Sequence, residues 1–374
     1  MLTVWAAAAQ PKPREEVFDL YWYFASERQA IFQKRIEGHP RPWTVDPILE
    51  TFKFCNVFRA ADRVSQYLIR DVAYASDAGS PQDRLFQIVA FRMFSKIETW
   101  RKLRALLGRP PLIADLVDST LEVALSQIRE DIGGLYTGAF ILCANDAFGR
   151  RLKHLNHVEL FRKMFLRTSL ADRLLEATSL HQIYDLLHEY PLMGDFMSYQ
   201  TAIDLNYSDV LRQDFSENSF TKPGPGALRG IRKVFRDLGD LTPEGIISWM
   251  VERQEREMTR LALPFTGLWG RLLHAIDCQG LFCEVDKYCR EALPALASAR
   301  KRIKMRYSPH SESFALYFPD KWRLNDKLPT QQVFGLEHSS SLASQEPLFP
   351  RRRAVQHAAR GDASVKVVRK SNIA

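Results

Sequence analysis

Apolar residues recur at helical spacing along almost the whole chain, and no run alternates convincingly enough to read as a set of strands. From Glu15 to Arg35 the residues Val17, Phe18, Tyr21, Tyr23, Phe24, Ile31 and Phe32 mostly fit one helical face, and Gly38-His39-Pro40 closes the element. Pro42-Trp43-Thr44 introduces a long helix expected from about Val45 to Val72, with Asp46 placed at its N-terminal dipole. Pro81 starts another, with a broad core face of Phe86, Val89, Ala90, Met93, Phe94 and Ile97. Leu112 to Ile128 is amphipathic, and Asp131-Ile132-Gly133-Gly134 breaks it. Thr242-Pro243-Glu244 has the form of a capped helix start leading from Ile246 through Leu263, and a further pattern runs from Trp269 to Ala292. The fold class is all-α.

The stretch around which the rest is arranged lies between Ile183 and Phe235. A helical pattern (Ile183, Leu186, Leu187) runs into Tyr190-Pro191-Leu192-Met193-Gly194, and a second (Phe196, Thr201, Ile203) follows at once. Pro191 ends the first helix by biasing Tyr190 away from the α region, and Gly194 lets the backbone approach a neighbour or ligand at the start of the second. A helix start with a bare glycine gathers free N–H groups and can hold a phosphate; the alternative is an αα-corner inside a bundle. Asp204, Asp209, Asp214 and Glu217 then lead into Lys222-Pro223-Gly224-Pro225-Gly226 and a basic helix with Arg229, Arg232 and Lys233. Its GPGALRG string is not a dinucleotide fingerprint, because no strand precedes it and the glycine spacing differs.

Composition narrows the class. The 374 residues, 46% hydrophobic and 11% aromatic, suffice for a large folded body, and the net charge is +8. Seven bases after Pro350 (Arg351, Arg352, Arg353, Arg360, Lys366, Arg369, Lys370) stand against Asp362, so the tail carries most of that excess. A nucleic-acid claim for the body therefore rests on a local patch. The expected division is one helical domain over residues 15–330 and a Ser-rich, then basic, disordered tail over 331–374. The five cysteines are scattered through helical patterns, as reduced cytoplasmic thiols are, and MLTVWAAAAQ reads as neither signal peptide nor membrane span. The expected location is the cytoplasm.

Candidate chemistry is sparse outside the central stretch. Asn56, Arg59, Asp62/Arg63 and Gln66 are spaced by three and four, which on a helix makes either a solvated ion-paired face or an inward polar stripe. Tyr136, beside small residues, is a core tyrosine or a surface under a flat base. The segment from Asn145 to His157 is basic and turn-like, and its two histidines are expected on the surface. Cys278, Cys283, Cys289 and nearby His274 do not have cluster spacing, so no metal is assigned, no cofactor is evident, and a divalent ion has no support in the sequence. Glu284 and Lys287, three apart, share nearly one face with Tyr288.

Five ordered blocks resemble a known family: PWTVDPILETFKFCNVFRAADRVSQYLI (Pro42 to Ile69), LYTGAFI (Leu135 to Ile141), the hairpin with AIDLNYS, SENSFTKPGPGALRGI, and DCQGLFCEVDKYCR (Asp277 to Arg290). They are similar to the alpha-glutamyl/putrescinyl thymine pyrophosphorylase family and the related helical domain of 5-hydroxymethyluracil DNA kinases, over about residues 18 to 295. Leu192 stands where a glycosylase hairpin has its first glycine, and no GxxxxGK[ST] phosphate loop is present, so no kinase half is expected. The resemblance implies a two-lobed helical body of the helix-hairpin-helix DNA glycosylase type. It also implies a reaction on a flipped base, in which an amine or amino acid displaces pyrophosphate from pyrophosphorylated 5-hydroxymethyluracil in DNA. On that reading Asp204 is the base, Arg59 and Lys287 bind pyrophosphate or carboxylate, and Tyr136 is the stacking platform. Asn56, Asp62, Gln66, Glu217, Glu284 and Tyr288 complete the substrate site, and Gly194, Lys222, Gly224, Gly226, Arg229 and Lys233 meet DNA. The implied partners are DNA and a separate 5-hydroxymethyluracil DNA kinase, with no membrane. The competing reading is a non-catalytic DNA-binding module working beside that kinase.

Overall fold

The computed structural model describes residues 9–138, 146–296, 302–303, 305–308 and 315–329; the tail and the end of the Leu135 to Ile141 block lie outside them. The architecture is all-α. Among the described residues the helices are α1 (Glu15–Ile36), α2 (Pro47–Thr51), α3 (Arg63–Leu68), α4 (Pro81–Phe94), α5 (Ile97–Leu107), α6 (Thr120–Ile132) and α7 (Lys153–Phe161). They continue with α8 (Leu170–Leu175), α9 (Leu180–His188), α10 (Asp195–Tyr207), α11 (Pro225–Val234), α12 (Pro243–Arg260) and α13 (Ala275–Ala292). An antiparallel ribbon pairs β1 (Lys12–Pro13) with β2 (Phe235–Asp237).

Helices from the two ends of the sequence pack together, α1 against α11, α12 and α13. The middle helices form a second group, in which α4 touches α7, α8 and α10, and α9 lies on α10. In the first group α1 is buried nearly all round: Tyr21, Trp22 and Phe24 are wholly enclosed, and Ser26 and Gln29 donate to the carbonyls of Pro264 and Gly267. An amphipathic stripe understates such a helix, because loops cover the side that its sequence leaves polar.

Helices α11 and α13 approach each other closely. A Cβ on Gly230 would lie 2.0 Å from the Phe282 carbonyl oxygen, and one on Gly226 would lie 2.4 Å from Cys283 Sγ. These two glycines, four apart on one face of α11, are what let it approach the backbone of α13. Arg14 ties the ribbon to this pair by donating through Nη1 to the carbonyls of Arg232, Lys233 and Phe235 at the end of α11.

Several boundaries follow from local chemistry. Asp46 caps α2 by accepting from the N–H groups of Ile48 and Leu49, and Ser80 and Asp83 form a capping box for α4. The helix expected from Val45 to Val72 is broken. After five residues of α2 the chain runs extended, passes through a 3₁₀ turn at Arg59–Ala61, and resumes as α3 with a π-helical turn at Ile69–Ala73. The pattern from Leu112 is likewise split, into a short turn at Ile113–Leu116 and α6, with left-handed Ser119 between them. The segment expected to be turn-like up to His157 becomes α7 from Lys153, and its histidines are buried. No helix among the described residues is long and apolar enough to cross a membrane.

The contact between α11 and α13 yields a test. Gly230→Ala pushes a methyl group into a backbone carbonyl that has no rotamer to yield, so it should destabilise by about 3 kcal/mol or more. Thermal denaturation should show Tm lower by roughly 5 °C or more, and an unchanged Tm would contradict the close approach.

Candidate functional site

The break in the Val45 to Val72 pattern builds the site. Three backbone N–H groups of this stretch are taken by carboxylates rather than by a helical ladder. Cys55 donates to Glu284 Oε2 at 2.9 Å, Asn56 to Asp62 Oδ1 at 2.8 Å, and Arg59 to Asp277 Oδ1 at 2.9 Å. Asn56 further accepts from Arg28 and donates to the Ala61 carbonyl, and Gln66 donates to Ala60 while accepting from the Tyr317 N–H. Asn56, Asp62, Gln66 and Glu284, expected to bind substrate, thus hold this segment in shape and do not share a helical face.

The segment delivers Arg59 to the junction of the two helix groups. Its backbone is fixed on α13, while its side chain reaches α10, where Nε donates to Gln200 Oε1 at 2.8 Å and Nη2 to Asp204 Oδ1 at 2.7 Å. The other oxygen of Asp204 accepts from Arg92 of α4, so one carboxylate, 0% exposed, sits between two guanidinium groups. Burial pushes both guanidinium pKa values down and Asp204 opposes it; the net shift is upward for Arg59 and downward for Arg92, which also faces the charge of Arg59. With both oxygens engaged, Asp204 orients the two arginines. Two guanidinium groups thus share one carboxylate.

Beside it lies an acidic pair. Glu217 Oε1 accepts from Arg271 Nη2 at 2.7 Å, and Arg271 lies 3.6 Å over the ring of Trp322. Asp277, near the start of α13, accepts from the backbone N–H groups of Arg59 and His274. Burial, reinforced by the charge of Glu217, pushes its pKa up to about 7. The charges of Glu217, Asp277 and Arg59 all act on the phenols of Tyr199 and Tyr207, so these groups form one neighbourhood.

Its buried polar atoms are incompletely paired. Arg59 Nη1, Arg92 Nη2, Glu217 Oε2 and Arg271 Nε have no hydrogen-bond partner. The hydroxyl of Tyr207 lies near Arg59 and that of Tyr199 near Thr221, yet none of these hydroxyls completes a hydrogen bond. Buried donors left unpaired cost about 1–3 kcal/mol each, so this concentration marks a place where a ligand's atoms would be welcome. The cluster offers guanidinium donors to an anion and a carboxyl group that titrates near neutrality.

Other predicted residues lie elsewhere. Lys287 pairs with Glu284 at 2.6 Å and packs 4.6 Å from the Phe54 ring centroid. It is ten residues along α13 from Asp277, a rise of about 15 Å, so Arg59 and Asp204 are brought into contact while Lys287 stands at the far end of the extended segment. Tyr288 donates to Asp46 Oδ2 at 2.5 Å, fixing α13 to the cap of α2. Tyr136 bonds His157 Nδ1 at 2.7 Å and carries Lys153 Nζ 4.4 Å over its ring, so that face is already covered. His154 and His157, expected at the surface, are each 1% exposed. Burial, with the charge of Lys153 adding to it, lowers the pKa of His157 to about 3, which keeps the ring neutral.

The residues expected to meet DNA are arranged unevenly. Gly194 begins α10 with open space before it, and Leu192 takes a left-handed φ of 70°, the conformation a glycine would favour. Gly224 packs on Phe196 and Gly226 on Cys283. Lys222 pairs with Glu244, while Lys233, only 6% exposed, joins Arg229 and Arg290 around Asp286. Lys233 is therefore part of the contact between α11 and α13 and presents no charge to a surface ligand.

Arg92, Tyr199, Tyr207, Thr221, Arg271 and Asp277 belong to the site without being singled out by the sequence pattern. Gln200, Asp204 and Tyr207 fall at helical spacing on α10, a polar stripe in an apolar helix that could have drawn attention. Arg92 lies inside a core pattern and gave no such signal.

Comparison with known proteins adds a family. Residues 15–298 match the family described as 5-hmdU DNA kinase, helical domain. The chain is 27% identical over 297 residues to a Bacillus phage SP10 protein named 5-hmdU DNA kinase, a match covering 74% of this chain and 46% of that protein. The chain thus spans about half the length of the curated relative. No solved structure matches.

The titration of Asp277 can be measured. Its pKa is raised from 3.8 to about 7 on folding, so the folded state holds the proton more tightly and the associated stability is lost as pH rises through that window. Asp277→Asn, which has no proton to lose, should show a shallower fall of Tm between pH 3.8 and 7 than the unmodified protein. Equal slopes would show that this carboxyl group does not carry the shift.

Proposed function

The chain belongs to the family of the 5-hmdU DNA kinase helical domain, and from that premise we propose that it acts in the hypermodification of thymine in DNA. The reaction we assign is transfer of an amine or amino acid onto pyrophosphorylated 5-hydroxymethyluracil, with release of pyrophosphate. The observation that carries this reading is the buried cluster, where unpaired nitrogens of Arg59 and Arg92 lie in one neighbourhood with the acidic pair Glu217 and Asp277.

In the transfer, the bond from the 5-methylene carbon to the pyrophosphate oxygen breaks and its electron pair leaves with that oxygen. A carbon–nitrogen bond forms at the same carbon, and the nitrogen gives up a proton. Arg59 and Arg92 supply donors to the leaving oxyanions, in a setting where little water competes. A carboxyl group with a pKa of about 7 is suited to receive the proton at neutral pH, which favours Asp277, held by two backbone N–H groups, over Asp204, held between two guanidinium groups, as base. Asp204 then holds the arginines in place. Tyr199 and Tyr207 would supply hydroxyl groups to the base or to the nucleophile.

The alternative, a module that only presents DNA to a separate 5-hydroxymethyluracil DNA kinase, gives these unpaired groups no work to do. The assigned substrate separates the two. DNA carrying pyrophosphorylated 5-hydroxymethyluracil, incubated with the chain and a mixture of amino acids and polyamines, should release pyrophosphate and yield a new nucleoside by mass spectrometry. Arg59→Lys keeps a cation for Asp204 but loses the free Nη1 along with the Gln200 bond, so turnover, measured at a temperature where the variant remains folded, should fall by about 10²-fold. Unaltered nucleosides and no pyrophosphate from the unmodified chain would defeat the transferase reading and leave the binding module.

A further inference from the structure

A pocket lies away from the Arg59 cluster, where the C-terminal half of α1 faces α2. Ile31, Leu49, Phe52 and Phe54 make its apolar wall, and Arg28 lines it from α1. Arg28 is 7% exposed; its Nη2 is bound to Asn56 Oδ1 at 2.6 Å, but Nη1, also buried, has no partner. Arg35 and Arg41 border the same space. Each lies over both Trp43 and Tyr307, at 5.2 to 5.7 Å from the ring centroids, so the aromatic rings hold two further guanidinium groups in place.

The pocket lining also contains Glu50. Burial, with the charge of Arg35 adding to it and those of Asp62 and Glu284 opposing it, lowers the pKa of Arg28 to about 10. An unpaired buried guanidinium donor with an apolar wall beside it is a recognisable chemical demand. It calls for a group that accepts hydrogen bonds, carries negative charge and is joined to a hydrophobic body.

We propose that this pocket binds a small organic anion, a carboxylate or a phosphate monoester, with its charged end on Arg28 Nη1 and its apolar body on Leu49, Phe52 and Phe54. The site does not depend on the transferase reading. It is nonetheless connected to the other cluster, because Arg28 holds Asn56, Asn56 holds Asp62 and Ala61, and the same segment carries Arg59.

The test uses the full chain without DNA, and isothermal titration with four probes: benzoate, phenyl phosphate, phenol and inorganic phosphate. At least one of the two aryl anions should bind in the millimolar range or tighter, and which of them does so identifies the anionic group. Phenol, of the same shape but neutral, and inorganic phosphate, with no apolar body, should each bind at least about tenfold more weakly. Arg28→Met should weaken the aryl anion by about tenfold or more. Because Arg28 also supports Asn56, Arg35→Gln provides a second variant, expected to weaken the same ligand. Binding of neither aryl anion, equal binding of phenol, equal binding of inorganic phosphate, or full affinity in both variants would overturn the proposal.

Discussion

Arg59 is the residue on which the two helix groups are joined. Its N–H is fixed on Asp277 of α13, its guanidinium group on Gln200 and Asp204 of α10, and Asp204 in turn on Arg92 of α4. Three helices that are distant in sequence therefore meet through one side chain and one carboxylate. Burying such charges is costly unless every group is paired, and removing one partner leaves the rest stranded, typically at 3–5 kcal/mol. A hydrophobic contact would join the groups at less cost in desolvation. It would not fix the direction of two guanidinium groups, and that direction is the property from which the candidate site is made.

The same economy of carboxylates runs along α13. Asp277 and Glu284 are seven residues apart, hence on one face, and they take the N–H groups of Arg59 and Cys55. This is why the segment between α2 and α3 can remain extended in the interior: each acid replaces a bond that a helix would have supplied internally. Asp286 points the other way and gathers Lys233, Arg229 and Arg290 under α11. One helix thus shapes the site on one side and secures α11 on the other, where Gly226 and Gly230 permit the close contact.

How far the sequence discloses this depends on how local each cause is. The start of α1, the Pro81 start of α4, the hairpin before α10 and the Thr242 cap of α12 are written in neighbouring residues and are legible there. The interruption after Thr51 was not. Asn56, Arg59, Asp62 and Gln66 have helical spacing, and the competing hydrogen bonds come from Asp277 and Glu284, more than two hundred residues away. The glycines before and within α11 resembled a phosphate-binding turn because sequence cannot tell a backbone approaching a ligand from a backbone approaching another helix. Arg59, Asp204 and Glu217 were chosen by residue type and resemblance. Arg92, enclosed in the apolar pattern of α4, becomes visible only when its partner on α10 is known.

The charge balance of the two arginine groups bears on what can occupy them. Around Asp204 two guanidinium groups share one carboxylate, and along α1 Arg28 and Arg35 oppose each other's charge. A buried guanidinium nitrogen without a partner gains a hydrogen bond when an anionic acceptor reaches it, and Arg59 Nη1, Arg92 Nη2 and Arg28 Nη1 are such nitrogens. A neutral ligand of the same shape, with a weaker acceptor, gains less. The Asn56 to Arg59 segment, touched by both groups, is the piece of chain that connects them.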